Sequence, residues 1–247
     1  MQLYGLENTK EFCLATYALI PAAGSGTRLG AEGPKQYLEL AGKPMLWHAV
    51  ASVCVAPVEN VFVVLAPEDK EFARHDWSAF AGRLEPLYCG GESRRDSVYN
   101  GLVATMAAVD ADDWILVHDA ARPCLPKRDL ESLIAETRDD LIGGILALPA
   151  SDTVKSAMKD EAGALRIARS EDRSQLWLAQ TPQMFRAGLL MQALKEAKKA
   201  VTDEAGAIEQ MGLKPRLVAG SRENIKVTFP EDMKIAEAIL ENRQRRS

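Results

Sequence analysis

Short runs of aliphatic residues alternate along the chain with segments of helical periodicity. The aliphatic runs lack strict polar alternation, which is typical of strands buried on both faces of a sheet. The pattern predicts strands at 16–20, 61–66, 84–88, 114–117 and 142–148, with helices between them at 44–55, 93–109 and 127–138. This repetition predicts an α/β fold, a single three-layer Rossmann-like domain with a mostly parallel sheet.

The strand–helix pattern breaks after Ala150. Residues 150–176 contain charged pieces, a turn-like "DEAG" and the alternating "ALRIAR", which together predict a projecting two-stranded β-arm. An isolated hairpin is marginally stable in water, so we expect the arm to pair with a second copy in a homodimer. The alternative is a surface excursion that folds back on its own domain.

The α/β pattern resumes after the arm. It predicts helices at 188–200, 204–211 and 230–242 and strands at 216–219 and 224–228. Pro230 suits the first position of its helix. We therefore divide the chain into an N-terminal extension, residues 1–15, and one domain, residues 16–247, with 150–176 inserted as a dimerisation arm.

Composition and charge narrow the function classes. Of 247 residues, 47% are hydrophobic and 26% charged, as in an ordinary globular protein, and the net charge of −5 argues against nucleic acid as a partner. No apolar run approaches a membrane span of about 20 residues, and the N-terminus lacks a signal-peptide pattern. The cysteines lie far apart without metal-site spacing, which predicts free thiols and a cytoplasmic location: Cys13, Cys54, Cys89 and Cys124.

The loop after the first strand has the character of a phosphate site. "PAAGSGTRLGAEGPKQYLEL" places small residues at the turn, where main-chain N–H groups can approach an anion, and adds the cations Arg28 and Lys35. Leu29 occupies a position that both the Walker A loop and the dinucleotide loop GxGxxG reserve for glycine. Ligands of parallel sheets bind beyond the carboxyl ends of the strands, so the loops "CGGESRRDS" and "HDAARP" are expected beside it.

Seven motifs together resemble one enzyme family. The chain contains, in order, "PAAGSGTRLGAEGPKQYLEL", "GGESRRDSV", "HDAARP", "DTVK", "QTPQMF", "TDEA" and "NIKVTFPED". Their order is similar to that of the 2-C-methyl-D-erythritol 4-phosphate cytidylyltransferases, which belong to the nucleotidyltransferase superfamily, over about residues 16–240. The resemblance implies transfer of CMP from CTP to the sugar-alcohol phosphate with release of pyrophosphate, in non-mevalonate isoprenoid precursor biosynthesis.

The resemblance implies four catalytic cations. Arg28 and Lys35 match the two transition-state stabilisers, which grip the CTP phosphates; the alternative is a pair of solvated surface cations. Arg173 and Lys226 match residues that position the sugar phosphate for attack, with Arg173 reaching across the dimer interface. The attacking phosphate is already ionised at neutral pH, so the reaction needs placed charges rather than an enzyme nucleophile.

The resemblance also implies the contacts to CTP. Main-chain groups of the first loop and residues of "GGESRRDS" would surround the nucleotide, and the predicted set is Ala22, Ala23, Gly24, Gly26, Gly91, Glu92, Ser97 and Asp119. Glu92 stands where the family pattern leads us to expect an aspartate. Ser93 has an alternative role as the cap of the following helix, with Ser97 in its first turns.

Asp119 matches the aspartate that faces the metal. Mg²⁺ takes oxygen ligands and commonly uses one or two carboxylates together with phosphate oxygens and water, so a single aspartate suffices. The neighbouring His118 resembles a general base by residue type, but we favour a packed histidine at a strand end because the attacking phosphate has no proton to lose.

The sugar-phosphate site implied by the resemblance comprises Asp119, Arg122, Arg173, Thr181, Thr202 and Lys226. Arg122 has the alternative role of a packed or carboxylate-paired residue. Thr181 and Thr202 have the alternative role of turn or helix caps. Lys226 lies within a predicted strand, where a charge requires a partner.

Two other functions remain possible from the sequence. A ribitol 5-phosphate cytidylyltransferase would share this architecture, but Ala23 and Ala121 stand where those relatives tend to have glycine and valine. A catalytically silent nucleotide-binding protein would have no need for Arg28, Lys35 and Lys226.

Overall fold

The strands define one large sheet and two small ones. The computed structural model describes residues 14–24, 33–198 and 201–245. Within these ranges the strands are β1 (Thr16–Pro21), β2 (Glu39–Leu40), β3 (Lys43–Pro44), β4 (Val58–Val64), β5 (Leu84–Leu87), β6 (Trp114–Val117), β7 (Gly143–Pro149), β8 (Lys155–Lys159), β9 (Leu165–Ser170), β10 (Trp177–Arg186) and β11 (Arg216–Ala219).

The helices follow the strands in the alternating order that the sequence predicts. They are α1 (Met45–Val53), α2 (Arg94–Thr105), α3 (Lys127–Thr137), α4 (Ala187–Glu196), α5 (Glu204–Gln210) and α6 (Pro230–Gln244). Pro230 is the first residue of α6, where its missing N–H costs no helical hydrogen bond. Among the described ranges no helix combines the length and apolar character needed to cross a membrane.

The large sheet has the strand order β11-β7-β10-β6-β1-β4-β5. Strand β1 is parallel to both β4 and β6, and β5 is parallel to β4. Strand β10 lies antiparallel between β6 and β7. The carboxyl ends of β1, β5 and β6 therefore meet at one edge of the sheet, where the three candidate loops begin.

Two apolar layers cover the sheet. On one face, residues of α1 and α3 such as Val50 and Leu133 pack with the sheet into one buried cluster. On the other face, residues of α2, α4 and α5 such as Leu102, Leu190 and Ile208 form a second. Helices on both faces confirm the predicted three-layer α/β fold.

The predicted arm has two antiparallel strands, β8 and β9. Its apolar side chains face solvent: Leu165 is 73% exposed and Ile167 67% exposed. The division into extension, domain and dimerisation arm stays a prediction. Residues 1–13 of the predicted extension lie outside the described ranges.

The predicted strand at 224–228 is wrong. This segment is irregular and makes no ladder with the large sheet. The N–H of Val227 donates to the carbonyl of Ala121 at 2.8 Å, so the segment lies against the "HDAARP" loop instead. Val227 packs beside α6 and not within the sheet. The apolar pattern of this segment therefore predicted a strand that does not form.

Candidate functional site

A cavity of about 520 Å³ lies beyond the carboxyl ends of the parallel strands. Its volume is in the range of small-molecule sites. Nine of the predicted site residues line it: Ala22, Ala23, Gly24, Lys35, Gly91, Glu92, Ser97, Asp119 and Lys226. Arg28 and Gly26, which we also predict for this site, lie outside the described residues.

The turn that carries Lys35 is tied to the end of β1. Residues Lys35–Tyr37 form a short 3₁₀-helix. The buried Gln36 donates from Nε2 to the carbonyl of Ala22 at 2.7 Å, and the hydroxyl of Tyr37 donates to Asp69 at 2.8 Å. The other two residues of this helix are therefore anchored, which holds Lys35 in the lining of the cavity.

Glycine is required where the second loop approaches the first. A side chain at Gly90 would meet Cβ of Ala23 at 2.3 Å and the carbonyl oxygen of Leu65 at 2.8 Å. These distances are too short for any real Cβ, so glycine at position 90 lets the two loops approach each other beside the cavity.

Helix α2 begins at this loop with a complete capping box. Ser93 accepts from the N–H of Asp96 at 3.1 Å, and Asp96 accepts from the N–H of Ser93 at 3.2 Å. The hydroxyl of Ser97 accepts from the N–H of Gly91 at 3.1 Å and donates to the carbonyl of Ser93 at 2.9 Å. Ser93 is thus the helix cap, and Ser97 both lines the cavity and holds the glycine loop.

Asp119 follows β6 and is paired with two cations. Its Oδ1 lies 2.9 Å from Nη2 of Arg94, and its Oδ2 lies 2.8 Å from Nζ of Lys226. Burial alone would raise the pKa of Asp119, but the charges of Arg94 and Lys226 outweigh it and hold the pKa well below its usual range. The carboxylate is ionised at neutral pH.

His118 and Thr181 form a buried polar chain behind Asp119. Nε2 of His118 lies 3.0 Å from the carbonyl of Arg122, which can only accept, so Nε2 carries the proton. Nδ1 then accepts from the hydroxyl of Thr181 at 3.1 Å, and that hydroxyl accepts from the N–H of Asp119 at 2.9 Å. Burial lowers the pKa of His118 to about 4, so the residue is a neutral, packed histidine.

Arg122 points away from the cavity. Its Nη1 donates to the carbonyl of Asn224 at 2.6 Å, and its Nη2 donates to the carbonyl of Ala179 at 3.4 Å. Burial lowers the pKa of this arginine. These contacts tie the "HDAARP" loop to β10 and to the segment that carries Lys226.

Arg173 and Thr202 also lie outside the cavity lining. Arg173 is in a short 3₁₀-helix beside the arm and donates from Nη1 to the carbonyl of Ser151. Thr202 is exposed, and the adjacent Asp203 is the cap of α5, accepting from the N–H of Gly206 at 3.0 Å. The capping role that we considered for Thr202 therefore belongs to its neighbour.

Sequence reasoning missed three residues that organise the site: Gln36, Arg94 and Glu204. Gln36 and Arg94 line the cavity. Glu204 is 1% exposed and forms an ion pair with Arg94 at 2.7 Å. All three stand inside motifs quoted above. For Arg94 and Glu204 the available signal was a charged residue next to a cavity loop, whereas the uncharged Gln36 gave no such signal.

The chain matches one family model along most of its length. The model described as 2-C-methyl-D-erythritol 4-phosphate cytidylyltransferase matches residues 16–242. A protein of that name from Dechloromonas aromatica is 53% identical over 230 residues, which cover 92% of this chain and 98% of that protein. Another from Nitrosomonas eutropha is 52% identical over 229 residues, covering 92% of this chain and 97% of that protein.

Solved structures agree with these sequence matches. A crystal structure of 4-diphosphocytidyl-2C-methyl-D-erythritol synthase, 38% identical, superposes with a TM-score of 0.79 over 92% of this chain and 99% of that one. The Francisella tularensis 2-C-methyl-D-erythritol 4-phosphate cytidylyltransferase, 34% identical, gives a TM-score of 0.74 over 91% of this chain and 99% of that one. The chain belongs to the 2-C-methyl-D-erythritol 4-phosphate cytidylyltransferase family.

Proposed function

We propose that this chain transfers the cytidylyl group of CTP to 2-C-methyl-D-erythritol 4-phosphate. An oxygen of the sugar phosphate attacks the α-phosphorus, the bond from that phosphorus to the β-phosphate oxygen breaks, and pyrophosphate leaves. The product is 4-diphosphocytidyl-2-C-methyl-D-erythritol, a precursor in non-mevalonate isoprenoid synthesis. The observation that carries the proposal is the cavity in which Lys35 and Lys226 meet the loop after β1.

The chemistry asks mainly for placed positive charge. Both reactants are polyanions, and their approach is opposed by charge repulsion that fixed cations and main-chain donors offset. Lys35, on its anchored 3₁₀-helix, faces the triphosphate in this scheme, and Lys226 positions the attacking phosphate. Arg28 completes the cation set as a further part of the proposal.

Magnesium fits the donor set as a cofactor bound largely by the nucleotide. The described residues contain no group of three or more His, Cys, Asp or Glu side chains that could hold a metal ion. Asp119 is an ionised carboxylate at the cavity, and carboxylate oxygens can accept more partners than the cations already present. Asp119 would hold Mg²⁺ together with phosphate oxygens, and the ion would neutralise charge on the triphosphate.

We infer that the active unit is a homodimer joined through the arm at 150–176. The exposed Leu165 and Ile167 support this, because pairing would remove their apolar surface from water. A dimer would also explain why Arg173 lies outside the cavity of its own chain. We place the enzyme in the cytoplasm, since Cys54, Cys89 and Cys124 are free thiols.

The test is pyrophosphate release from CTP and Mg²⁺ with two acceptors, methylerythritol phosphate and ribitol 5-phosphate. We expect release with the first alone. Release with ribitol 5-phosphate alone would show that ribitol 5-phosphate, and not methylerythritol phosphate, is the acceptor. CTP binding in calorimetry without release from either acceptor would favour a silent nucleotide-binding protein, and omission of Mg²⁺ tests the cofactor.

A further inference from the structure

Arg94 contacts carboxylates from two separate elements. It is the first residue of α2, and its Nε lies 3.0 Å from Oδ1 of Asp119. Its Nη1 and Nη2 donate to the two carboxylate oxygens of Glu204 at 2.7 and 3.0 Å. One guanidinium therefore joins the loop after β6 to the start of α5.

All three side chains are largely removed from solvent. The exposed fractions are 28% for Arg94, 10% for Asp119 and 1% for Glu204. A buried carboxylate requires a compensating charge, and Arg94 compensates both. Only a planar fork of donors reaches both partners at once, so lysine is not equivalent at this position.

Glu204 belongs to the segment that carries Thr202. This segment is fixed at a second point, where Gln183 donates to Asp203 at 2.9 Å and accepts from the N–H of Ala205 at 2.8 Å. Gln183 lies in β10, on the sheet side of the segment. The Arg94–Glu204 pair joins the segment to the nucleotide cavity.

We propose that Arg94 is a positioning residue that fixes Asp119 at the nucleotide cavity and, through Glu204, fixes the Thr202 segment for the sugar phosphate. The proposal rests on the proposed function for the identity of the two substrates. It predicts that one guanidinium couples the two halves of the site. Loss of this guanidinium is therefore expected to weaken binding of the sugar phosphate as well as to slow turnover.

The test compares Arg94→Met, Glu204→Gln and the double variant. Arg94→Met removes the guanidinium from both carboxylates and leaves the buried Glu204 without this partner, and we expect kcat to fall and KM for the sugar phosphate to rise, each by about 10-fold or more, the scale of coupling between contacting residues. Glu204→Gln alone breaks the same pair, so it is also expected to raise KM for the sugar phosphate, and the double variant is expected to raise it no further than Arg94→Met alone. Arg94→Lys is expected to lie between Arg94→Met and wild type.

Arg95→Met is the matched control. Arg95 is the next residue of α2, and its Nε donates to the carbonyl of Leu194 at 3.0 Å, away from the two carboxylates. We expect this variant to change the melting temperature without changing the KM for the sugar phosphate. Equal effects of Arg94→Met and Arg95→Met on both kinetic constants would reduce Arg94 to a helix anchor and overturn the proposal.

Amide hydrogen exchange measures how firmly these two segments are held, and it does not depend on turnover. Arg94→Met is expected to speed exchange in peptides covering Asp119 and Ala205 together, and Glu204→Gln only in the second. If wild type releases no pyrophosphate, the proposed reaction is rejected, and these exchange patterns still decide the role of Arg94. Unchanged exchange in both peptides, or increases in KM of the two single variants that multiply in the double variant, contradicts it; if Arg94→Met does not fold, Arg94→Lys and Glu204→Gln are compared in its place.

Discussion

The main-chain N–H of Asp119 donates to the hydroxyl of Thr181 at 2.9 Å, across 62 positions of sequence. Thr181 lies in β10, the strand that runs antiparallel to β6. The carboxylate beside Lys226 is therefore positioned by a neighbouring strand as well as by its own loop. The same hydroxyl donates to His118, so a single side chain satisfies a buried donor and a buried acceptor.

Replacement of Thr181 by valine keeps the shape and removes both hydrogen bonds. We expect the free energy of unfolding to fall by about 1–3 kcal/mol, because the buried N–H of Asp119 loses its acceptor. We also expect kcat to fall, since the carboxylate is less well fixed. Denaturant unfolding and steady-state kinetics check this, with Thr181→Ser as the control that keeps the hydroxyl. A valine variant as stable and active as wild type would contradict this role.

Lys35→Ala tests the cation on the anchored 3₁₀-helix. We expect kcat to fall by at least roughly 100-fold, the order seen when one transition-state donor is lost, while the circular dichroism spectrum is unchanged. The control is Lys70→Ala, which removes an exposed lysine outside the cavity lining. A variant within threefold of wild type would overturn the assignment of Lys35.

Arg173 tests whether two chains share a site. Arg173→Ala is expected to raise KM for the sugar phosphate and to leave KM for CTP near its wild-type value. If each site uses Lys35 of one chain and Arg173 of the other, an equal mixture of Lys35→Ala and Arg173→Ala chains contains one intact site in each mixed dimer. Random exchange then restores about a quarter of wild-type activity. A mixture no more active than the sum of its parts would argue for a site within one chain.

The arm surface tests the dimer itself. Ile167→Asp places a charge on an apolar position that is 67% exposed in the isolated chain. We expect the variant to sediment as a monomer and to lose activity, whereas wild type sediments as a dimer. Ala162→Asp, at the exposed turn between β8 and β9, adds the same charge and is expected to stay dimeric. Identical sedimentation of all three proteins would reject the arm as the interface.

His118 gives the fold a defined response to acid. Its folded-state pKa is about 4, below the usual value of 6.5, so the unfolded chain takes up the proton first as the pH falls. The contribution of His118 to stability is complete above pH 6.5 and is lost between 6.5 and 4. That loss is on the order of 3 kcal/mol.

The measurement is denaturant unfolding of wild type and His118→Gln between pH 7.5 and pH 4. Glutamine does not titrate, so the stability difference between the two proteins should narrow as the pH falls. A difference that is constant over this interval would show that His118 is not held neutral by the fold.

Local patterns predicted most of the sheet. The strand at Trp114–Val117 has the bounds that its aliphatic run indicates, and the helix starting at Pro230 begins where proline favours it. Helix α2 is shorter than predicted: it ends at Thr105, where the chain turns and Val109 donates back to the Thr105 carbonyl. Periodicity predicts the presence of a helix more reliably than the residue at which the helix ends, because the following turn uses the same residue types.

The loops at the carboxyl ends of the strands were predicted from topology, and the cavity lies there. The pairing of Arg94 with Glu204 was not predicted, because it joins residues 110 positions apart. No local pattern shows which carboxylate a given arginine will meet. The prediction of a strand at 224–228 failed for the same reason. The contact of this segment with Ala121 depends on how the whole chain folds.

Strand β10 begins at Trp177, next to the arm, and continues through Thr181 to Arg186 at the far end of the sheet. The arm proposed to meet a second subunit ends at residue 176, directly before this strand, and the hydroxyl that holds Asp119 follows five positions later. If the arm forms the proposed interface, association and turnover are linked through this strand. Selection on either one constrains the other, and a substitution at the root of the arm is expected to disturb the chemistry without touching a substrate.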